Sequence, residues 1–168
     1  MKASLTKKLL SLLIAPAFLL AFTSKMDRTN FAGNWKLNES KSELGQFGRF
    51  APHTVKAEQK DDAISITRIA TGFNGDERTT TETLTYDGKE SESILFGNSK
   101  KKSTIKWSDD GKTFSINYTL LLDFNGQTNE IKGTETWALS DDGKTLTIQN
   151  NSSSPQGDIS TKAVYEKQ

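Results

Sequence analysis

From residue 31 onward, apolar and polar residues alternate with a period of two almost everywhere, and pairs such as Asp-Gly and Asn-Gly break the alternation at intervals. Successive side chains of a strand point to opposite faces, so period two marks a sheet with one apolar side. Asn-Gly or Asp-Gly between two such runs is the strongest short-range hairpin signal. These signals fall at Asn74-Gly75, Asp87-Gly88, Gly97-Asn98, Asp110-Gly111, Asn125-Gly126, Asp142-Gly143 and Gln156-Gly157, ten to seventeen residues apart. Helical periodicity is nearly absent. The rhythm predicts an antiparallel meander with strands near 31–37, 54–60, 63–71, 77–86, 90–96, 101–108, 112–124, 128–139, 144–150 and 158–167.

Sorting by alternation puts Phe114, Ile116, Tyr118, Leu120, Leu122 and Phe124 on one face of the longest strand, with Ser115, Asn117, Thr119 and Leu121 opposite. It also groups Ile64 and Ile66 with Arg68, Leu84 and Tyr86 with Glu82, Ile94 with Phe96, Ile105 with Trp107, and Ile131 with Glu135, Trp137 and Leu139. A sheet with one apolar face must bury it by packing on a second sheet or by closing on itself. Successive hairpins favour closure, which removes exposed edges. The expected fold is therefore an all-β, up-and-down antiparallel barrel of about 8–10 strands, with a two-layer sandwich as the alternative that periodicity leaves open.

If the barrel is hollow, Tyr86, Phe96, Trp107, Tyr118 and Trp137 are candidates to line its cavity; otherwise they are ordinary core. Arg68, Glu82 and Glu135 fall on the same inward face. Buried charges are costly unless paired, so these three are either polar anchors for a ligand, solvated groups at the mouth, or residues flipped outward by a bulge.

Before the alternating region stand Lys2, Lys7 and Lys8, an apolar run from Leu9 to Phe22 interrupted by Pro16, and the polar Thr23-Ser24-Lys25. This is the pattern of a secretory signal peptide, residues 1–24, and the run is shorter than the ~20 residues of a membrane-spanning helix. The expectation is an exported domain at 25–168, periplasmic or secreted, with no stable membrane anchor after cleavage. A lysine-rich leader on a chain with no cysteine reads as bacterial, and the missing cysteines exclude disulfides, thiolate metal sites and a catalytic thiol. Without the three leader lysines, 19 basic side chains face 21 acidic ones, a net charge of −2. That balance lacks the clustered positive surface which nucleic-acid binding needs.

The segment from Asn38 to Thr54 is the one long connection without clear alternation. It carries Phe47 and Phe50 among polar residues and glycines, and reads as a loop able to lie across the open end of a barrel. Two hairpins echo one another, Trp107-Ser-Asp-Asp-Gly-Lys-Thr-Phe-Ser-Ile116 and Leu139-Ser-Asp-Asp-Gly-Lys-Thr-Leu-Thr-Ile148. Adjacent carboxylates beside a glycine fit turn chemistry better than a calcium loop, which needs five or more spaced oxygen ligands.

The opening Phe31-Ala-Gly33-Asn-Trp35-Lys-Leu37 resembles the Gly-x-Trp start of the lipocalin and fatty-acid-binding superfamily, in which the tryptophan covers the closed end of the barrel. With Tyr86-Asp-Gly-Lys89, the second Ser-Asp-Asp-Gly hairpin and the ending Val164-Tyr-Glu-Lys167, the mature chain is similar to small exported bacterial lipocalin-like domains. The resemblance implies a structural role for Trp35 and a ligand inside the barrel. Two departures stand out. The region after the first strand holds Gly45, Gly48 and Pro52 where fatty-acid-binding proteins carry a helical lid, and Ala163-Val164-Tyr165 keeps the tyrosine of a carboxylate-gripping Arg-x-Tyr pair without its arginine.

His53 is the only histidine, and no nucleophile elbow, phosphate loop or His-Glu-x-x-His motif occurs. No catalytic residue, metal site or cofactor is expected. The leading expectation is a carrier of a small apolar or amphipathic molecule bound by Arg68, Glu82, Tyr86, Phe96, Trp107, Tyr118, Glu135 and Trp137. The alternatives are an interaction or inhibitor protein working through the 38–54 loop, and a barrel enzyme using Glu82 or Glu135 with Arg68.

Overall fold

The computed structural model describes residues 27–168 apart from 73, 125–126 and 155–156. The signal-peptide reading of residues 1–24 therefore lies outside the described residues. Ten strands follow in chain order: β1 (Gly33–Leu37), β2 (Thr54–Gln59), β3 (Ala63–Thr71), β4 (Glu77–Thr85), β5 (Ser91–Phe96), β6 (Ser99–Trp107), β7 (Thr113–Phe124), β8 (Gln127–Leu139), β9 (Thr145–Ser154) and β10 (Gly157–Lys167). They form one antiparallel sheet, in the order β4-β3-β2-β1-β10-β9-β8-β7-β6-β5. Every neighbour is a chain neighbour except β1 and β10, which meet with Trp35 opposite Lys167 and Leu37 opposite Tyr165. The sheet curls until its end strands β4 and β5 lie beside each other, giving a nearly closed barrel rather than two stacked layers.

All ten predicted strands are present, and their ends shift where the side-chain pattern fades. β9 runs four residues past the expected end because Asn151-Ser152-Ser153-Ser154 has no apolar alternation, yet it pairs with β10 to the last residue. One face assignment is wrong. Ile94 is 70% exposed: Ser91 and Ser93 stand opposite the inward-facing Ser103 and Lys101 of β6, so plain alternation turns Ile94 outward and Leu95 to the interior, and the register shift comes only after Ile94. The Phe96 side chain, proposed to line the cavity, lies outside the described residues.

The echoing hairpins close by the same hydrogen bonds. Ser108 Oγ donates to Asp110 Oδ1 (2.6 Å), which also accepts from the Lys112 N–H (3.0 Å); Ser140, Asp142 and Lys144 repeat this at 2.6 and 3.0 Å. The aspartates spend their oxygens on the turn, and Gly111 (φ 68°) and Gly143 (φ 66°) supply the left-handed residue each turn needs.

The 38–54 segment is not a plain loop. It forms two short 3-10 turns, Glu39–Lys41 and Gly45–Phe50. Asn38 Oδ1 accepts from the Lys41 N–H, and Glu43 exchanges both backbone hydrogen bonds with Lys162 on β10 at 2.7 and 2.9 Å. The connection is thereby tied to the barrel wall as a lid.

Candidate functional site

Register divides the barrel interior into three levels. At the end crossed by the β6–β7 and β8–β9 turns, Phe31, Trp107, Phe114 and Trp137 pack ring to ring, with Phe114 stacked on Trp137 at 5.1 Å and edge-on to Phe31 at 4.8 Å. Tyr86 adds an edge contact with Trp107 at 5.6 Å. The N-terminal segment seals this end. Phe31 N–H donates to Gln59 Oε1 (2.9 Å), and Thr29 N–H to the Gly111 carbonyl (2.9 Å). Trp35 is fully buried beside it, donating from Nε1 to the Phe31 carbonyl at 3.1 Å. The Lys167 ammonium lies 5.3 Å from the Trp35 ring centre, and its side chain passes where a Cβ on Gly33 would stand, 3.1 Å away. The Gly-x-Trp spacing thus makes room for a lysine from the last strand.

Deeper in the barrel, two residues from Trp137 on β8 and six from Trp107 on β6, comes a belt of four charges: Arg68 on β3, Glu82 on β4, Lys101 on β6 and Glu135 on β8. Arg68 donates from Nη1 to Glu82 Oε1 and from Nη2 to Glu135 Oε2 (2.7 Å). Lys101 Nζ donates to Glu82 Oε1 (2.9 Å) and stands 3.7 Å from Glu135 Oε1. Ser103 Oγ donates to the second Glu82 oxygen at 3.1 Å, and Trp137 Nε1 to Glu135 Oε2 at 3.3 Å. Burial by itself would raise Glu82, but Arg68 and Lys101 hold it down to about 2. The same two cations outweigh the burial of Glu135 and keep it below the ordinary carboxylate range. The belt is formally neutral, two cations against two anions. It also joins β4 to β6 across the place where the backbone ladder stops.

Beyond the belt, toward the lid, lies a cavity of about 460 Å³. Its floor is Arg68, Lys101 and Glu135; its walls include Tyr118, Leu120, Ile131, Ile148 and Tyr165; Leu44, Phe50, Ala51 and Pro52 of the lid segment cover it. Thr80, Asn150, Ser152 and Thr161 contribute neutral polar groups. Tyr118 Oη donates to Asn150 Oδ1 at 2.7 Å. Burial pushes Tyr118 up to about 12 and moves Tyr165 in the same direction, so both phenols are neutral hydrogen-bonding groups at neutral pH.

The sequence-predicted site residues therefore separate. Arg68, Tyr118 and Glu135 line the cavity, and Glu82 sits behind it within the belt. Tyr86, Trp107 and Trp137 do not reach it; they belong to the aromatic end, because their strands enter the barrel there. His53 is exposed beside Thr54, away from the cavity. Lys101 was missed, although counting back by twos from Trp107 and Ile105 reaches Ser103 and Lys101. Bulges aside, parity places a lysine inward as surely as it does an isoleucine.

Among the described residues, no group of three or more His, Cys, Asp or Glu side chains is arranged to hold a metal ion, and no helix is long and apolar enough to cross a membrane. The site thus defines a nearly closed ten-stranded antiparallel barrel with a lidded interior cavity. The crystal structure of zebrafish ileal bile acid-binding protein complexed with cholic acid has a similar fold, with a TM-score of 0.51 at 18% identity over 82% of this chain and 98% of that one. No protein-family model matches the chain, and no curated protein does.

Proposed function

We propose that this protein is an exported carrier that holds a small apolar or amphipathic molecule between the charged belt and the lid. The observation that carries the reading is the cavity itself. Its volume of about 460 Å³ lies within the ~300–1,000 Å³ of ordinary small-molecule sites, and its make-up, mainly apolar walls interrupted by polar groups above a charged floor, is theirs as well. The similar barrel from zebrafish was crystallised with cholic acid, which supports an amphipathic occupant. The basic-then-apolar leader supports export. The lid segment bears on the interaction-protein alternative through Phe50, which with Leu44 lines the cavity; the Phe47 side chain lies outside the described residues.

Native mass spectrometry of protein purified from its own host tests the carrier reading. A mass increment that vanishes on mild organic extraction is the expected result. A bare polypeptide mass, together with no uptake of any lipid or sterol by the extracted protein, overturns it.

A further inference from the structure

Granting the carrier reading, we infer that the cavity selects uncharged amphipaths, such as long-chain alcohols, over carboxylates of the same length, because the neutral Arg68–Glu82–Lys101–Glu135 belt leaves no cation free to neutralise an incoming acid.

A barrel with an arginine and a lysine at the floor of its cavity would ordinarily be read as an anion site. Here each cation is already engaged. Arg68 is forked between Glu82 and Glu135, and Lys101 is drawn toward the same two carboxylates. A ligand carboxylate arriving at this floor meets Glu135 beside Arg68 and Lys101, and makes the buried cluster net negative. Relieving that requires Glu135 to give up Arg68, and a buried carboxylate stripped of its partner is strongly unfavourable. The basic side chains of the lid give no help, since Lys41 is exposed and paired with Glu166 at 2.8 Å, His53 is exposed, and Arg49 is exposed with its guanidinium 4.3 Å from the Phe50 ring centre.

A hydroxyl meets none of these obstacles. Thr80, Asn150, Ser152 and Thr161 present hydroxyl and amide groups along the wall, and the Tyr118 and Tyr165 phenols stay protonated there. Such groups donate to and accept from an alcohol without any change of charge. The apolar tail is accommodated by Leu120, Ile131 and Ile148 in either case, so the head group alone decides the preference.

Isothermal titration of the lipid-extracted protein with dodecanol and with dodecanoate at neutral pH tests the inference. Dodecanol is expected to bind about tenfold or more tightly than dodecanoate. Equal or tighter binding of dodecanoate, or binding of neither compound, overturns the inference; the carrier reading is decided separately, by the mass increment and by uptake of lipids and sterols. Glu135→Gln removes one anion and leaves the belt with a net positive charge, so its preference should reverse toward dodecanoate. A variant that folds and keeps the wild-type preference shows that the belt does not set selectivity and also overturns the inference. The wild-type comparison decides on its own if that variant does not fold. Lys101→Gln shifts the charge the other way, and should gain affinity for dodecylammonium; unchanged affinity counts against the belt.

Discussion

The phenol end of Tyr118 passes over Gly133 on the neighbouring strand, so that a Cβ at position 133 would stand 2.4 Å from the Tyr118 hydroxyl oxygen and 2.9 Å from the Asn151 carbonyl. Tyr118 and Gly133 face each other in the β7–β8 register, and the absent side chain is the space the phenol crosses to reach Asn150 on β9. The glycine is required for room.

Gly133→Ala is therefore expected to destabilise the barrel by about 1–3 kcal/mol, the usual cost of overpacking. It should also push the Tyr118 ring into the cavity and weaken small-molecule binding. Urea denaturation measures the first effect and ligand titration the second. A variant as stable as the wild type would mean that Tyr118 finds another position at no cost.

The belt makes stability depend on acid. Glu82 ionises at about 2 in the folded protein against an ordinary value of 4.5, so the folded state is favoured by its ionised form. That contribution is fully present above pH 4.5 and is lost as the pH falls toward 2. The shift corresponds to something on the order of 3 kcal/mol. Glu82→Gln keeps the shape but leaves Arg68 and Lys101 short of one anion. It should cost about 3–5 kcal/mol at neutral pH, and the gap to wild type should narrow as the solution is acidified. Denaturation midpoints collected across that range check the sign; a gap that is constant with pH would mean that Glu82 is held by packing rather than charge.

The aromatic end and the cavity are separate functional regions, and a large-to-small change tells them apart. Phe114 is fully buried against Phe31, Trp107 and Trp137 and does not line the cavity. Phe114→Ala should cost about 3–5 kcal/mol in unfolding free energy while ligand affinity in the folded protein stays within about twofold, because the two sites share no side chain. A large loss of affinity at full folding would show that the aromatic end reaches the ligand.

The strand positions and most face assignments could be read directly, because period two and the Asp-Gly turns are local properties of the chain. The division of the interior could not. Phe114 and Tyr118 share a face of β7, and nothing local tells which of them meets solid packing and which meets space; that depends on where Phe31 enters and how the lid is tied to Lys162. Arg68, Glu82 and Glu135 were visible as inward charges, but their mutual pairing and the part of Lys101 are long-range facts, set by the curling of the sheet that brings β4 beside β5 and within reach of β6. Ile94 failed for a related reason: β5 can present either Ile94 and Phe96 or Leu95 inward, and the choice is made by its pairing with β6, which sets Ser91 and Ser93 opposite the buried Ser103 and Lys101.

On the carrier reading, the lid should set how long a ligand stays. Leu44, Phe50, Ala51 and Pro52 cover the cavity and Arg49 is exposed, so Leu44 and Phe50 are the two largest of the side chains that must part from the ligand when the lid opens. Replacing both by serine removes apolar surface worth roughly 1–2 kcal/mol for each residue, because neither is completely buried to begin with. The backbone ties between Glu43 and Lys162 are untouched, so the lid should still fold. The expected outcome is at least a roughly tenfold faster release of a bound fluorescent lipid, with little change in the association rate, since affinity differences among variants of one site reside mainly in dissociation. Stopped-flow displacement measures both rates. Unchanged release would mean that ligands leave by another route, and the gap between β4 and β5, where no backbone ladder closes the wall, is the place to look next.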